Sequence, residues 1–247
     1  MQVTTEEIIY PSSDGQPMAD STIQYKLIVT IKEGCESLFE NDPNVFIAAD
    51  LLWYPVEGRP DISQAPDTMV IFGRPKGDRR SYIQSREDNI APQVVFEIRS
   101  HNDSNTKMNK KLSFYYRYGV EEYYLYDPER NELEGWQIIE GSLEVIEQME
   151  GWISPRLGVR FELGLEGLEI YKPDGEKFLS PSETNAQRLL ERQRAGQEFQ
   201  RAGQEFQRAE QEFQRAEQES LKAQQAVQRS ELLAAKLREL NIDPDSI

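Results

Sequence analysis

Along the chain, apolar and polar positions alternate with two different periods, and each change of period marks an element. Ile23, Leu27, Thr30-Ile31, Gly34-Cys35 and Leu38-Phe39 recur at intervals near four and three, which predicts an amphipathic helix from about Ser21 to Asn41. Val45 to Tyr54 reads as a strand, followed by a Pro- and Gly-rich loop from Pro55 to Pro66. The apolar, β-branched run Ala65 to Phe72 predicts a strand with Asp67 at its start, and Val94 to Ser100 predicts another. From Asn105 to Tyr118 the period is helical, with Lys107, Lys111, Phe114 and Tyr118 on one face and Gly119 as the stop. Val120 to Pro128 is an aromatic strand closed by Asp127-Pro128. Glu140-Gly141 joins Glu132–Ile139 to Ser142–Met149 as a hairpin. Short strands at Val159–Leu163 and Leu168–Tyr171 extend an antiparallel part that Pro173-Asp174-Gly175 ends.

From Arg194 the period becomes seven. Arg-Ala-Gly-Gln-Glu-Phe-Gln occurs twice, then Arg-Ala-Glu-Gln-Glu-Phe-Gln, then Arg-Ala-Glu-Gln-Glu-Ser-Leu. Phe199, Phe206, Phe213, Val227 and Ala234 hold one seam position, and Ala202, Ala209, Ala216, Ala223 and Leu237 the other, so a heptad helix is expected. Gly196 and Gly203 each cost such a helix about 1 kcal/mol against alanine. The helix therefore calls for a partner, a second copy, the core or another protein, the alternative being a solvated single helix, and Asn241 to Asp245 ends it. The expected organisation is a flexible lead-in over residues 1–20, an α/β core over 21–181 and a coiled-coil helix over 182–247.

Composition narrows the chemistry. One cysteine, Cys35, excludes an internal disulfide, and without Cys/His clusters there is no structural zinc pattern. His101 is the only histidine; it lies in a loop, reads as solvent-exposed, and makes Ser-His-Asp and Cys-His mechanisms improbable. No apolar run approaches the ~18 residues of a membrane span, and Met1 to Glu7 lacks the pattern of a signal peptide, so a cytoplasmic protein is expected.

Two acids stand out because they sit in apolar strands. A buried carboxylate costs several kcal/mol unless it is paired, neutralised or bound to a metal. Asp67 and Glu97, on neighbouring strands, suit a shared Mg²⁺ (or Mn²⁺), a hard ion that takes one or two carboxylates and keeps sites for substrate phosphate. A lysine from the helix that follows would orient or activate the attacking water, or stabilise charge on the phosphate. Asp50, another acid in apolar company, is a weaker candidate and is expected to pair with Arg59 or Arg74; Glu33 and Glu36 on the first helix read as surface charges.

Ala-Pro-Asp, Phe-Glu-Ile-Arg-Ser, Lys-Leu-x-x-Tyr-Tyr and Gly-Val-x-Glu-Tyr-Tyr-x-x-Asp-Pro, taken together, resemble the restriction-endonuclease-like family of bacterial proteins within the PD-(D/E)XK nuclease superfamily. The resemblance runs from about Val45 to Gly175 and implies a restriction-endonuclease-like mixed sheet flanked by helices. It also implies that Asp67 and Glu97 bind the metal, that the Ile98 carbonyl completes the protein ligands, and that Lys111 is the catalytic lysine, with Lys107 or Lys110 in reserve. The plain superfamily motif has lysine two residues after the second acid, where this chain has Arg99. Arginine does not deprotonate in proteins, so it is a poor base.

The function expected is a metal-dependent endonuclease acting on DNA. The alternative is an inactive nuclease fold that acts as an interaction module through its coiled coil. Charge weighs on the choice. Of the net −16, ten basic and twelve acidic residues lie from Ser182 onward, leaving 18 basic and 32 acidic before it, or −14. DNA affinity comes largely from Lys and Arg on phosphates, so the best nucleic-acid surface is the Phe72–Gln93 loop with Arg74, Lys76, Arg79, Arg80 and Arg86.

Overall fold

Ser21 sets the start of the first helix by accepting the Gln24 amide hydrogen at 3.1 Å, and α1 runs Thr22–Leu38. The structure is a computed structural model and describes residues 8–239. The buried stripe of α1 is Gln24, Ile28, Ile31, Gly34 and Cys35, offset from the predicted one, so that Ile23 is exposed. Gly34 is required there by a close approach: a Cβ would stand 2.1 Å from the Phe178 ring.

The strands are β1 (Val45–Ala48), β2 (Trp53–Tyr54), β3 (Thr68–Phe72), β4 (Tyr82–Ile83), β5 (Val94–Ile98), β6 (Glu122–Asp127), β7 (Glu132–Ile139), β8 (Ser142–Val145), β9 (Arg160–Gly164) and β10 (Gly167–Tyr171). Helix α2 (Asn105–Arg117) lies between β5 and β6 in sequence, with Ser104 as its cap. Six strands form one mixed sheet in the order β1-β3-β5-β6-β7-β8, in which only β5 and β6 run parallel. Alternation along the strands divides the core between the two faces. Val70, Phe96 and Tyr124 pack with Ile28 and Ile31 of α1, whereas Met69, Val95 and Tyr123 pack with Met108 and Tyr115 of α2. The fold is the mixed α/β architecture expected, with a sheet between helices and a long C-terminal helix.

Three segments differ from the sequence reading. The strand expected over Val45–Tyr54 breaks after Ala48, because Asp50 takes a left-handed conformation (φ 50°) and gives its amide hydrogen to Pro66. The released piece, β2, pairs parallel with β4 inside what reads as a loop. The hairpin turn at Glu140-Gly141 (φ 51° and 82°) forms as expected, but β8 stops at Val145 so that Ile146 and Met149 turn in against Gly135. Residues 8–20, read as a lead-in, place Tyr10 edge-on to Tyr54, whose hydroxyl donates to Pro11 at 2.8 Å.

The chain divides into two units between Thr184 and Asn185. Helix α3 (Pro181–Glu239) begins in the first and makes up the described part of the second; none of its residues is buried. The predicted stop at Asn241–Asp245 lies outside the described residues. No helix among the described residues is long and apolar enough to cross a membrane.

Candidate active site

The antiparallel register of β3 on β5 sets Thr68 across from Phe96 and Met69 across from Val95. One step further, Asp67 stands opposite Glu97 on the face that carries Met69 and Val95, where facing Cβ atoms lie about 5 Å apart. Both acids are buried. Lys111 reaches down from α2 and donates from Nζ to Glu97 Oε2 at 2.7 Å. One helical turn on, the buried Tyr115 hydroxyl donates to Glu97 Oε1, so one lysine and one tyrosine at i and i+4 hold both oxygens of the acid. Asp67 Oδ2 accepts the Ile98 amide hydrogen at 2.6 Å. The Ile98 carbonyl accepts from Gln24 Nε2 at 3.0 Å, while Gln24 Oε1 accepts the Asp20 amide hydrogen at 2.9 Å. The two bonds fix the orientation of the Gln24 amide, since a flip would oppose acceptor to acceptor and donor to donor.

Burial, reinforced by the charge on Glu97, lifts the Asp67 carboxyl well above its ordinary value, against the opposing pull of Lys111 and the Ile98 amide. Burial pulls the Lys111 ammonium down, but Glu97 and Asp67 outweigh it and the net displacement is upward. Burial and the Glu97 charge push the Tyr115 phenol well above the usual range. Lys111 is therefore a protonated donor here, and Tyr115 a neutral one.

Asp67, Glu97, Lys111, Asp50 and Lys107 line one cavity of about 340 Å³, together with Asp14 and Asp20. Asp50 pairs with neither arginine expected of it: Arg59 is bound to Asp61 at 2.6 Å and Arg74 to Glu87 at 2.8 Å. Desolvation and Asp14 raise the Asp50 carboxyl instead. Lys107 pairs with Asp103, and Lys110 is exposed and lies away from this cavity, so Lys111 is the lysine that meets Glu97. Arg99 does not bond to Glu97; it donates to Asp103 O and Asn105. His101 is exposed beside Glu129, and Glu33 and Glu36 sit with Lys32 at the surface. In the loop that offers the basic surface, Arg74 and Arg79 both clasp Glu87, and Lys76 reaches Glu36 and Phe39 O.

Among the described residues, no group of three or more His, Cys, Asp and Glu side chains forms a metal cluster. The facing carboxylates of Asp67 and Glu97 are nevertheless hard oxygen donors at one cavity, and the Ile98 carbonyl is bonded to Gln24 of that cavity's lining; each keeps lone pairs beyond the hydrogen bonds it accepts. That donor set fits Mg²⁺, which needs few protein ligands. Sequence reasoning missed Gln24 and Tyr115. Tyr115 stands in the Lys-Leu-x-x-Tyr-Tyr stretch with no role assigned to it, although its i+4 spacing from Lys111 is visible; Gln24 is the polar member of an otherwise apolar stripe.

Residues 6–170 match the model of a protein family, Uma2, described as "Putative restriction endonuclease". The chain belongs to the Uma2 family. Its match takes in both acids, the lysine and the whole six-stranded sheet, and stops short of α3. Among solved structures, this Uma2 chain is similar to one described as a putative nuclease belonging to DUF820 from Anabaena variabilis ATCC 29413. The two are 18% identical over 58% of this chain and 77% of the other, with a TM-score of 0.44. No curated protein matches the chain.

Proposed function

We propose that this Uma2 chain is a Mg²⁺-dependent endonuclease that hydrolyses phosphodiester bonds of DNA at the cavity lined by Asp67, Glu97 and Lys111. The observation that carries the reading is the meeting of the two buried acids across β3 and β5 with an ammonium 2.7 Å from one of them. Asp67, Glu97 and the Ile98 carbonyl would hold the ion; when bound, it supplies Lewis-acid stabilisation of charge on the phosphate and a lower pKa for the attacking water. Lys111 balances the charge of the acid pair and, as a protonated donor, is suited to stabilising negative charge on a phosphate rather than to taking a proton. Tyr115 fixes the rotamer of Glu97, and Gln24 fixes the strand end at Ile98.

The test is nicking of supercoiled plasmid by the purified protein. With Mg²⁺ or Mn²⁺ cleavage is expected, and Asp67→Ala and Glu97→Ala are each expected to abolish it. Cleavage that survives both substitutions removes the mechanism. A second reading, an inactive nuclease fold serving as an interaction module, draws support from the −14 charge ahead of Ser182 and from the engagement of Arg74, Lys76 and Arg79 in ion pairs. It predicts no metal-dependent cleavage by the unmodified chain.

A further inference from the structure

Helix α3 carries a seam on which large and small residues alternate: Phe199, Ala202, Phe206, Ala209, Phe213, Ala216, at steps of three and four. The three phenylalanines are 81%, 72% and 70% exposed. A periodic row of exposed aromatics of this kind marks an interaction surface. Its steric pattern says which partner fits.

In a parallel pair of these helices each seam position meets its own equivalent, so phenylalanine faces phenylalanine and alanine faces alanine in alternate layers. Phenylalanine pairs hold the helices apart, and the alanine layers between them are left as voids, which a close-packed interface does not tolerate. A reversed copy meets the seam differently, because the position held by phenylalanine on one helix faces the position held by alanine on the other. With Phe199 set on Ala216 of the second copy, each layer from Phe199 to Ala216 then joins one large and one small side chain at an even separation. We propose that α3 docks against a second copy of itself in antiparallel orientation.

The charged flanks do not choose the orientation. Glu198, Glu205, Glu212 and Glu219 flank the seam on one side, each followed three residues later by Arg201, Arg208, Arg215 or Lys222 at ion-pairing spacing, and in a reversed pair this acidic flank meets its own equivalent. Five alanines serve three phenylalanines, so several registers one heptad apart keep the Phe-on-Ala layers. The one that also seats Val227 on Ala195 of the second copy puts Phe199 on Ala223, Phe206 on Ala216 and Phe213 on Ala209, with one small layer where Ala202 meets Ser220. In that register Glu217 faces Gly203, where no side chain competes. The pairing puts the first residues of the two α3 helices at opposite ends of the coil, tens of ångströms apart along its axis at a rise of about 1.5 Å per residue.

The inference rests on α3 alone and stands or falls independently of the metal reading. Light scattering on the full chain is expected to give the mass of two chains. Spin labels placed singly at Gln197→Cys and Gln211→Cys, both exposed and off the seam, then report orientation; Cys35 is buried and does not label. A reversed pair centred near Gln211 gives a short distance there and an axial separation of about 40 Å at Gln197, shifted by about 10 Å for each heptad of register. Equal short distances at both positions mean a parallel pair and overturn the proposal. The mass of a single chain overturns it as well.

Discussion

Glu97 is the residue on which the site turns, and its environment is unusual in that neither of its oxygens is left free. Lys111 and Tyr115 hold one each from the same helix, so the acid is oriented before any substrate arrives. Groups that orient a metal ligand typically account for roughly ten- to hundredfold in metal affinity when removed. Tyr115→Phe keeps the ring among Trp53 and Tyr123 and removes only the hydroxyl. It is expected to weaken Mn²⁺ binding about tenfold by titration calorimetry while leaving the circular dichroism spectrum unchanged. Equal Mn²⁺ affinity in variant and parent would show that the hydroxyl merely fills space. At this scale the sequence exposes Asp67 and Glu97, since an acid in a β-branched run has no bland place to go. It hides Gln24 and Tyr115, whose roles arise from what stands across from them.

At the scale of elements, α3 starts from a reciprocal capping box. The Ser180 amide donates to Glu183 Oε2 at 2.8 Å, and the Ser180 hydroxyl accepts from the Glu183 amide at 3.4 Å. The hydrogen bonds from Ser180, with help from Lys177, lower the Glu183 carboxyl to about 2. A carboxyl whose folded pKa is depressed stabilises above its unfolded value and loses that contribution as pH falls toward its folded one. The first turn of α3 is therefore expected to fray between about pH 4 and 2. Amide exchange at Ser182 to Thr184 read across this range checks it; in Glu183→Gln the dependence should vanish, and a variant that titrates like the parent assigns the effect elsewhere. The same scale accounts for the broken first strand. Val45 to Tyr54 is apolar but for Asp50, so periodicity alone cannot show that the strand breaks there, where Asp50 takes a left-handed conformation and its amide hydrogen goes to Pro66 O.

For the whole molecule, the 59-residue helix α3 lies almost wholly beyond the division between Thr184 and Asn185 and buries nothing. Removing residues from Asn185 onward is expected to reduce the solution mass to one chain and to leave the denaturant midpoint of the remainder unchanged. A midpoint that falls by more than the experimental scatter would mean that the helix supports the core. The chain's acidity also belongs to this scale. Phosphate neutralisation supplies most nonspecific DNA affinity, and Arg74, Lys76 and Arg79 are already committed to Glu87 and Glu36. DNA binding by the core should therefore be weak without a divalent ion, measured as fluorescence anisotropy of a labelled duplex with and without Mg²⁺. Tight ion-independent binding would reveal a cationic surface that these pairs do not leave.

What the sequence by itself determined were the quantities that depend on neighbours along the chain: the two periods, the turn at Glu140-Gly141, the heptads, and the presence of two acids where apolar residues belong. Local propensity and alternation are enough for these, because each is set within a few residues. Tertiary structure alone decided that Asp67 meets Glu97, that Lys111 rather than Lys107 or Lys110 closes the pair, and that Arg74 and Arg79 turn inward to Glu87. Those outcomes depend on strand register and on the helix phase of α2 over the sheet, where a one-residue shift in a strand sends a side chain to the opposite face.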